Sequence, residues 1–121
     1  MKLSRQEQKE QTRIGLVERA LLLFAEKGIE RTTTADVAKA LRVSHGTVFI
    51  HFATRDQLIE AVVQEFGTRL SAALKSHLAD DLTLDQLLRG HLDVLAPFED
   101  FYLRLITESQ SLPAKVRSVV Y

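Results

Sequence analysis

The run Ser44-His45-Gly46-Thr47, with Phe49 and His51 following it, gathers small, hydrogen-bonding and aromatic side chains within eight positions. On one outward helix face such residues suit a DNA groove: hydroxyl and imidazole groups exchange hydrogen bonds with base edges, and a glycine lets the helix approach closely. Ser44, Gly46 and Thr47 stand at the helix start, the end that meets the bases. His45, the longest outward polar side chain there, is the best candidate for reading sequence. Thr33, Lys39, His51 and Arg55 are candidates for phosphate contacts, which fix register rather than sequence. Phe49 joins that face as a packing contact.

Catalysis has no comparable signature. The four histidines (His45, His51, His77, His91) form neither an i, i+4 pair nor an H-E-x-x-H pattern, and there is no Gly-rich phosphate loop or nucleophile elbow. No enzyme activity, cofactor or metal site is expected; His77 and His91 read as structural or solvent-facing.

The elements that must position these side chains are two short helices and a tight turn. Thr33 caps the first, with Asp36 three residues on where a carboxylate favours the first-turn amides. Val37, Ala38 and Leu41 form its apolar stripe, Val43 plugs the angle between the helices, and Ser44 caps the second, whose Val48 and Phe52 face inward. That is a helix-turn-helix arrangement. Before it, Ile14, Val17, Leu21 and Phe24 recur at three and four, predicting a helix from about Gln8 to Lys27 that stops at Gly28. Residues 1 to about 7 read as a polar unstructured tail, and Lys2, Arg5 and Lys9 are placed to lie along a phosphate backbone or enter a minor groove if DNA is bound.

The sequence has 121 residues, no cysteine and a formal net charge of zero. That length buries roughly two thirds of the unfolded surface, and without cysteine there is no disulfide framework or thiolate metal site. A charged N-terminus and no apolar run of the roughly 18 residues that span a bilayer predict a cytoplasmic protein with no membrane association. Zero net charge hides an asymmetry: ten basic and six acidic residues up to residue 55, then six basic and ten acidic. A basic head on an acidic body fits a DNA-binding unit joined to a regulatory one.

The spacing T-x-x-x-[IV]-A-x-x-x-x-V-S-x-G-T-[LV]-[FY]-x-H-F-x-x-[KR]-x-x-L, filled by Thr33, Val37, Ala38, Val43, Ser44, Gly46, Thr47, Val48, Phe49, His51, Phe52, Arg55 and Leu58, resembles the DNA-binding domain of the TetR family of bacterial transcriptional regulators. The resemblance runs from about residue 10 to about residue 66. Many members carry Gly where Arg42 stands; a non-Gly residue at positive φ costs on the order of 1 kcal/mol, which a phosphate contact by the guanidinium would offset. Many also carry Tyr where Phe49 stands, so one possible phosphate hydrogen bond is missing.

After Phe52, Thr54 and Gln57 make a capping box that opens a long helix bearing Leu58, Ile59, Val62, Phe66, Leu70 and Leu78. Thr83 with Gln86 opens another, about Leu84 to Ala96, and Phe98 to about Glu108 reads as a third. Ser109 to Leu112 read as a loop, and Pro113 suits the start of a last helix with Val116 on its apolar face. The resemblance implies further helices that complete an effector pocket and a dimer interface, so the body reads as truncated. Phe66, His91, Phe98, Phe101 and Tyr102 are candidates to line such a pocket.

The expected protein is all-α: a three-helix DNA-binding head over residues 1–54 and a partial ligand-binding and dimerisation body over residues 55–121. By resemblance it is a repressor that binds a palindromic double-stranded operator as a homodimer and is released by a small apolar effector. The competing reading is a helical protein-interaction module without sequence-specific DNA binding.

Overall fold

The computed structural model describes residues 2–78 and 98–120, and every regular element among them is helical. In chain order these are α1 (Arg5–Lys27), α2 (Thr34–Leu41), α3 (His45–His51), α4 (Arg55–Leu78), α5 (Glu99–Thr107), a 3₁₀ turn (Ser109–Ser111) and α6 (Ala114–Val120). The helix expected over about Leu84 to Ala96, its capping box and His91 lie outside the described residues.

Helix α1 begins three residues before Gln8, so the last three residues of the expected tail are helical. The cause is a local cap: the Ser4 hydroxyl accepts the Glu7 amide at 3.1 Å, and Glu7 returns its carboxylate to that hydroxyl. The buried side of α1 is Leu16, Val17, Ala20 and Phe24, whereas Ile14 is half exposed. The inward stripe is therefore rotated from the expected one. Gly15 marks the contact side: a Cβ there would lie 3.0 Å from a Leu41 methyl, so the missing side chain seats α2 against α1.

At the end of α1, Gly28 adopts φ 103°, a left-handed value that side chains disfavour, and donates its N–H to the Phe24 carbonyl. Thr33 then caps α2, with the full reciprocal box: its hydroxyl accepts the Asp36 amide, and the Asp36 carboxylate accepts the Thr33 amide, both at 3.0 Å. The turn to α3 is closed by Arg42 at φ 62°, ψ 42°, and by the Val43 N–H on the Ala38 carbonyl at 3.0 Å. Ser44 caps α3 through the Thr47 amide at 3.1 Å. Helix α4 opens as expected at Thr54, whose hydroxyl accepts the Gln57 amide, but Gln57 reaches back to the Ala53 amide.

One apolar core runs through the head and on into the body, from Leu16, Phe24, Ile29, Val37, Val48 and Phe52 through Leu58, Ile59, Val62 and Phe66 to Phe101, Leu105, Leu112 and Val116. It crosses residue 54 without a gap. Helix α1 is its hub, packed against α2, α4 and α5. Among the described helices none is long and apolar enough to cross a membrane.

Candidate nucleic-acid interface

Helix α3 turns Val48 fully into the core and leaves Thr47 and His51 half-buried at its flanks. Its outer side carries His45, Gly46, Phe49 and Ile50, with Phe49 47% and Ile50 69% exposed. Of the expected groups His45, Gly46 and Phe49 share that outer side, and the structure assigns several of the expected residues partners. The His45 Nε2 sits 2.7 Å from the Thr34 hydroxyl, and its ring packs on Phe49 with centroids 4.7 Å apart. Among the described residues, Nδ1 of this residue, expected to read bases, has no partner. Thr34 was not among the expected site residues; its role needs the 11-residue separation to be closed by the turn. The hydroxyls of Ser44 and Thr47 lie 2.8 Å apart, so the two form a linked pair at the start of the helix.

The phosphate candidates divide. Lys39 and Arg42 are exposed, and the Arg42 side chain has no partner among the described residues. The Thr33 hydroxyl is engaged as the α2 cap. Arg55 has a structural role as well: its Nη2 donates to the Ile29 carbonyl at 2.5 Å and to the Thr32 carbonyl at 3.4 Å, so the guanidinium holds the α1–α2 connection. Two basic residues neighbour His51. Arg13 donates to the His51 carbonyl at 3.4 Å and stacks 4.5 Å over the Phe52 ring, a cation placed where the α3 carbonyls end. Burial pushes the His51 imidazole below its ordinary value, and the positive charges of Lys9 and Arg13 add to that. His51 is therefore a neutral hydrogen-bonding group at pH 7.

The nearest acidic group on α2 is quenched. The Lys27 ammonium lies 2.8 Å from the Asp36 carboxylate and, with the Thr33 amide, holds that carboxyl down at about 2.

The connection into this unit is gripped from the body. Glu108, at the end of α5, accepts the Ile29 amide at 3.2 Å and the Glu30 amide at 2.9 Å. Arg104, one turn earlier, donates to the carbonyls of Ala25 and Glu26 at the end of α1. Of the candidate effector residues four are described, and three of them pack on one another. Phe66 and Phe101 are buried with ring centroids 4.8 Å apart, and Phe98 meets Phe66 edge-on at 5.6 Å, an aromatic core; Tyr102 is 52% exposed. A groove of about 910 Å³ lies along α4, lined by His51, Gln57, Gln64, Thr68 and Lys115 among others.

Two capped helices across a tight left-handed turn, the second with an unobstructed outer side, define a helix-turn-helix protein. Residues 16–62 match the family model described as bacterial regulatory proteins, tetR family. The chain is 39% identical over 88 residues to the HTH-type transcriptional repressor Rv3405c of Mycobacterium tuberculosis, covering 73% of this chain and 46% of that protein. It is 22% identical over 106 residues to the biofilm operon icaADBC HTH-type negative transcriptional regulator IcaR of Staphylococcus epidermidis, covering 87% of this chain and 57% of that protein. Its fold is similar to the ketosteroid transcriptional regulator KstR2 of Mycobacterium tuberculosis, with a TM-score of 0.67, 23% identity, and coverage of 90% and 58% of the two chains. Residues 16–62 thus form a TetR-family amino-terminal domain, and the chain spans about half the length of the curated relatives it matches.

Proposed function

We propose that the protein is a cytoplasmic DNA-binding transcriptional repressor that engages an approximately palindromic operator as a homodimer. Two copies of α3 would enter successive major grooves roughly 34 to 36 Å apart. The observation that carries this reading is the outer side of α3, exposed and polar at its start, on a unit whose Asp36 is paired with Lys27 and whose Lys39 and Arg42 are exposed and placed to meet phosphates. The repressor names of the relatives support the same reading.

Release by a small apolar effector in the body is the second part of the proposal. Arg104 and Glu108 hold the end of α1 and the amides leading into α2, so a shift of α5 would pull on the head directly. Helix α4 offers a parallel route, since its Arg69 pairs with Glu18 of α1. A ligand that favours the shifted state by a few kcal/mol suffices to release DNA.

The test is a gel shift on selected and random duplexes at two salt concentrations. Binding that is sequence-dependent and weakens steeply with salt is expected; salt-insensitive binding would favour the protein-interaction module.

A further inference from the structure

Ile50 has no role in the core and no hydrogen-bonding group. It is 69% exposed on α3, more than any other large apolar side chain among the described residues. Gly46 stands one turn before it, four residues away on the same ridge. A Cβ added at Gly46 would meet nothing nearer than the Ser44 hydroxyl at 3.8 Å, so open space lies over that position. Val48 points into the core from the opposite side of the helix. Gly46 and Ile50 thus form the outermost line of α3, and Ile50 supplies its only side chain. The ridge is bare at one end and apolar at the other, while the hydroxyl and imidazole groups lie on its flanks.

The one methyl group that base pairs present in a major groove is the C5 methyl of thymine; the other recognition features there are hydrogen-bond donors and acceptors, with small C–H edges between them. A side chain that can only make van der Waals contact at the leading edge of the helix therefore gains from a methyl. It loses by desolvating an amino or carbonyl edge that it cannot pair. The bare Gly46 position lets the backbone come down to that depth. The two positions are separated by roughly 6 Å, about two base steps at 3.4 Å each, so one turn of α3 spans a methyl contact and a close backbone approach two base pairs away.

We propose that Ile50 is a specificity-determining residue that reads the C5 methyl of a thymine in each operator half-site, with Gly46 setting the depth of approach. The inference rests on the DNA-binding reading and adds the chemical identity of one recognised base.

The test begins with selection of duplexes from a random pool by the protein. Each thymine of the selected site is then replaced in turn by uracil, which lacks only the methyl. One position per half-site is expected where uracil weakens binding about fourfold, the effect of withdrawing one buried methyl, and where Ile50→Ala binds thymine and uracil equally. Restoring a C5 methyl at that position as 5-methylcytosine in place of cytosine should improve binding by wild type and leave Ile50→Ala unchanged. Uracil tolerated at every position by wild type, or the same uracil penalty in Ile50→Ala, would overturn the assignment while leaving DNA binding intact. Failure to enrich any duplex would overturn it together with the DNA-binding reading. Ile50→Ala removes an exposed side chain, and an unchanged unfolding midpoint checks that the variant is folded.

Discussion

The connection from α1 to α2 is held by side chains from distant parts of the chain, whereas the turn from α2 to α3 is held almost entirely by its own backbone and caps. Around the first, Glu108 takes two amides, Arg55 takes two carbonyls, and the buried Thr32 hydroxyl donates to the Gly28 carbonyl at 2.7 Å. Around the second, closure rests on Arg42 in a left-handed conformation, the Val43 to Ala38 hydrogen bond and the Ser44 cap. The difference separates two jobs. The body sets where the head sits, and the angle between the two helices of the reading unit is set locally.

The comparison breaks most visibly at Glu108. Its carboxylate is mostly buried and satisfies two backbone amides, so Glu108→Ala leaves both without their charged acceptor and should destabilise by about 3 kcal/mol. Arg55→Ala should cost about 2 kcal/mol, because two partly buried carbonyls lose a charged donor. Urea unfolding of each variant and of the pair gives the magnitudes. The two side chains hold opposite polar groups of one six-residue connection, so their effects should be non-additive. Strict additivity would mean that the connection does not act as a unit.

A smaller and opposite effect is expected in the turn. Arg42 has φ 62° and no side-chain partner among the described residues, so Arg42→Gly should stabilise by up to about 1 kcal/mol. If the guanidinium meets a phosphate, the same variant lowers the salt slope of DNA binding by about 1. Gains in stability with losses in affinity would show that the strained conformation is retained for the contact.

What could be read from the sequence follows the same division. Caps are local, and Thr33 with Asp36, Ser44 with Thr47 and Thr54 with Gln57 all occupy the expected positions; the Ser-x-x-Glu spacing of Ser4 and Glu7 carries the earlier start of α1 in the same way. The αL geometry at Arg42 was legible because the resembled pattern places glycine there. Ties across the chain leave no periodic trace. Nothing in the spacing of Arg55 reveals a partner 26 residues earlier, or in Glu108 one 79 residues earlier. Which side of α1 faces inward depended on Gly15 seating Leu41, and apolar periodicity alone placed Ile14 on the wrong side. For the interface, the face was legible while its partners were not: His45 meets Thr34 only after the turn has folded.

The smallest effect tests a long-range tie on the α3 side, where Arg13 holds the His51 carbonyl and packs on Phe52. Burial there, helped by Lys9 and Arg13, lowers the His51 imidazole from its ordinary 6.5, with Glu10 opposing weakly. The unfolded chain therefore takes up a proton on this residue at a higher pH than the folded one. Stability contributed by the neutral ring is fully present above 6.5 and declines as pH falls from there toward the lowered folded value. Urea unfolding between pH 7.5 and pH 5 should show this decline in wild type and a flatter profile in His51→Gln, which keeps a neutral hydrogen-bonding side chain. Equal slopes would mean that the end of α3 is as open as its start, and that its attachment to α1 adds nothing to the local closure of the turn.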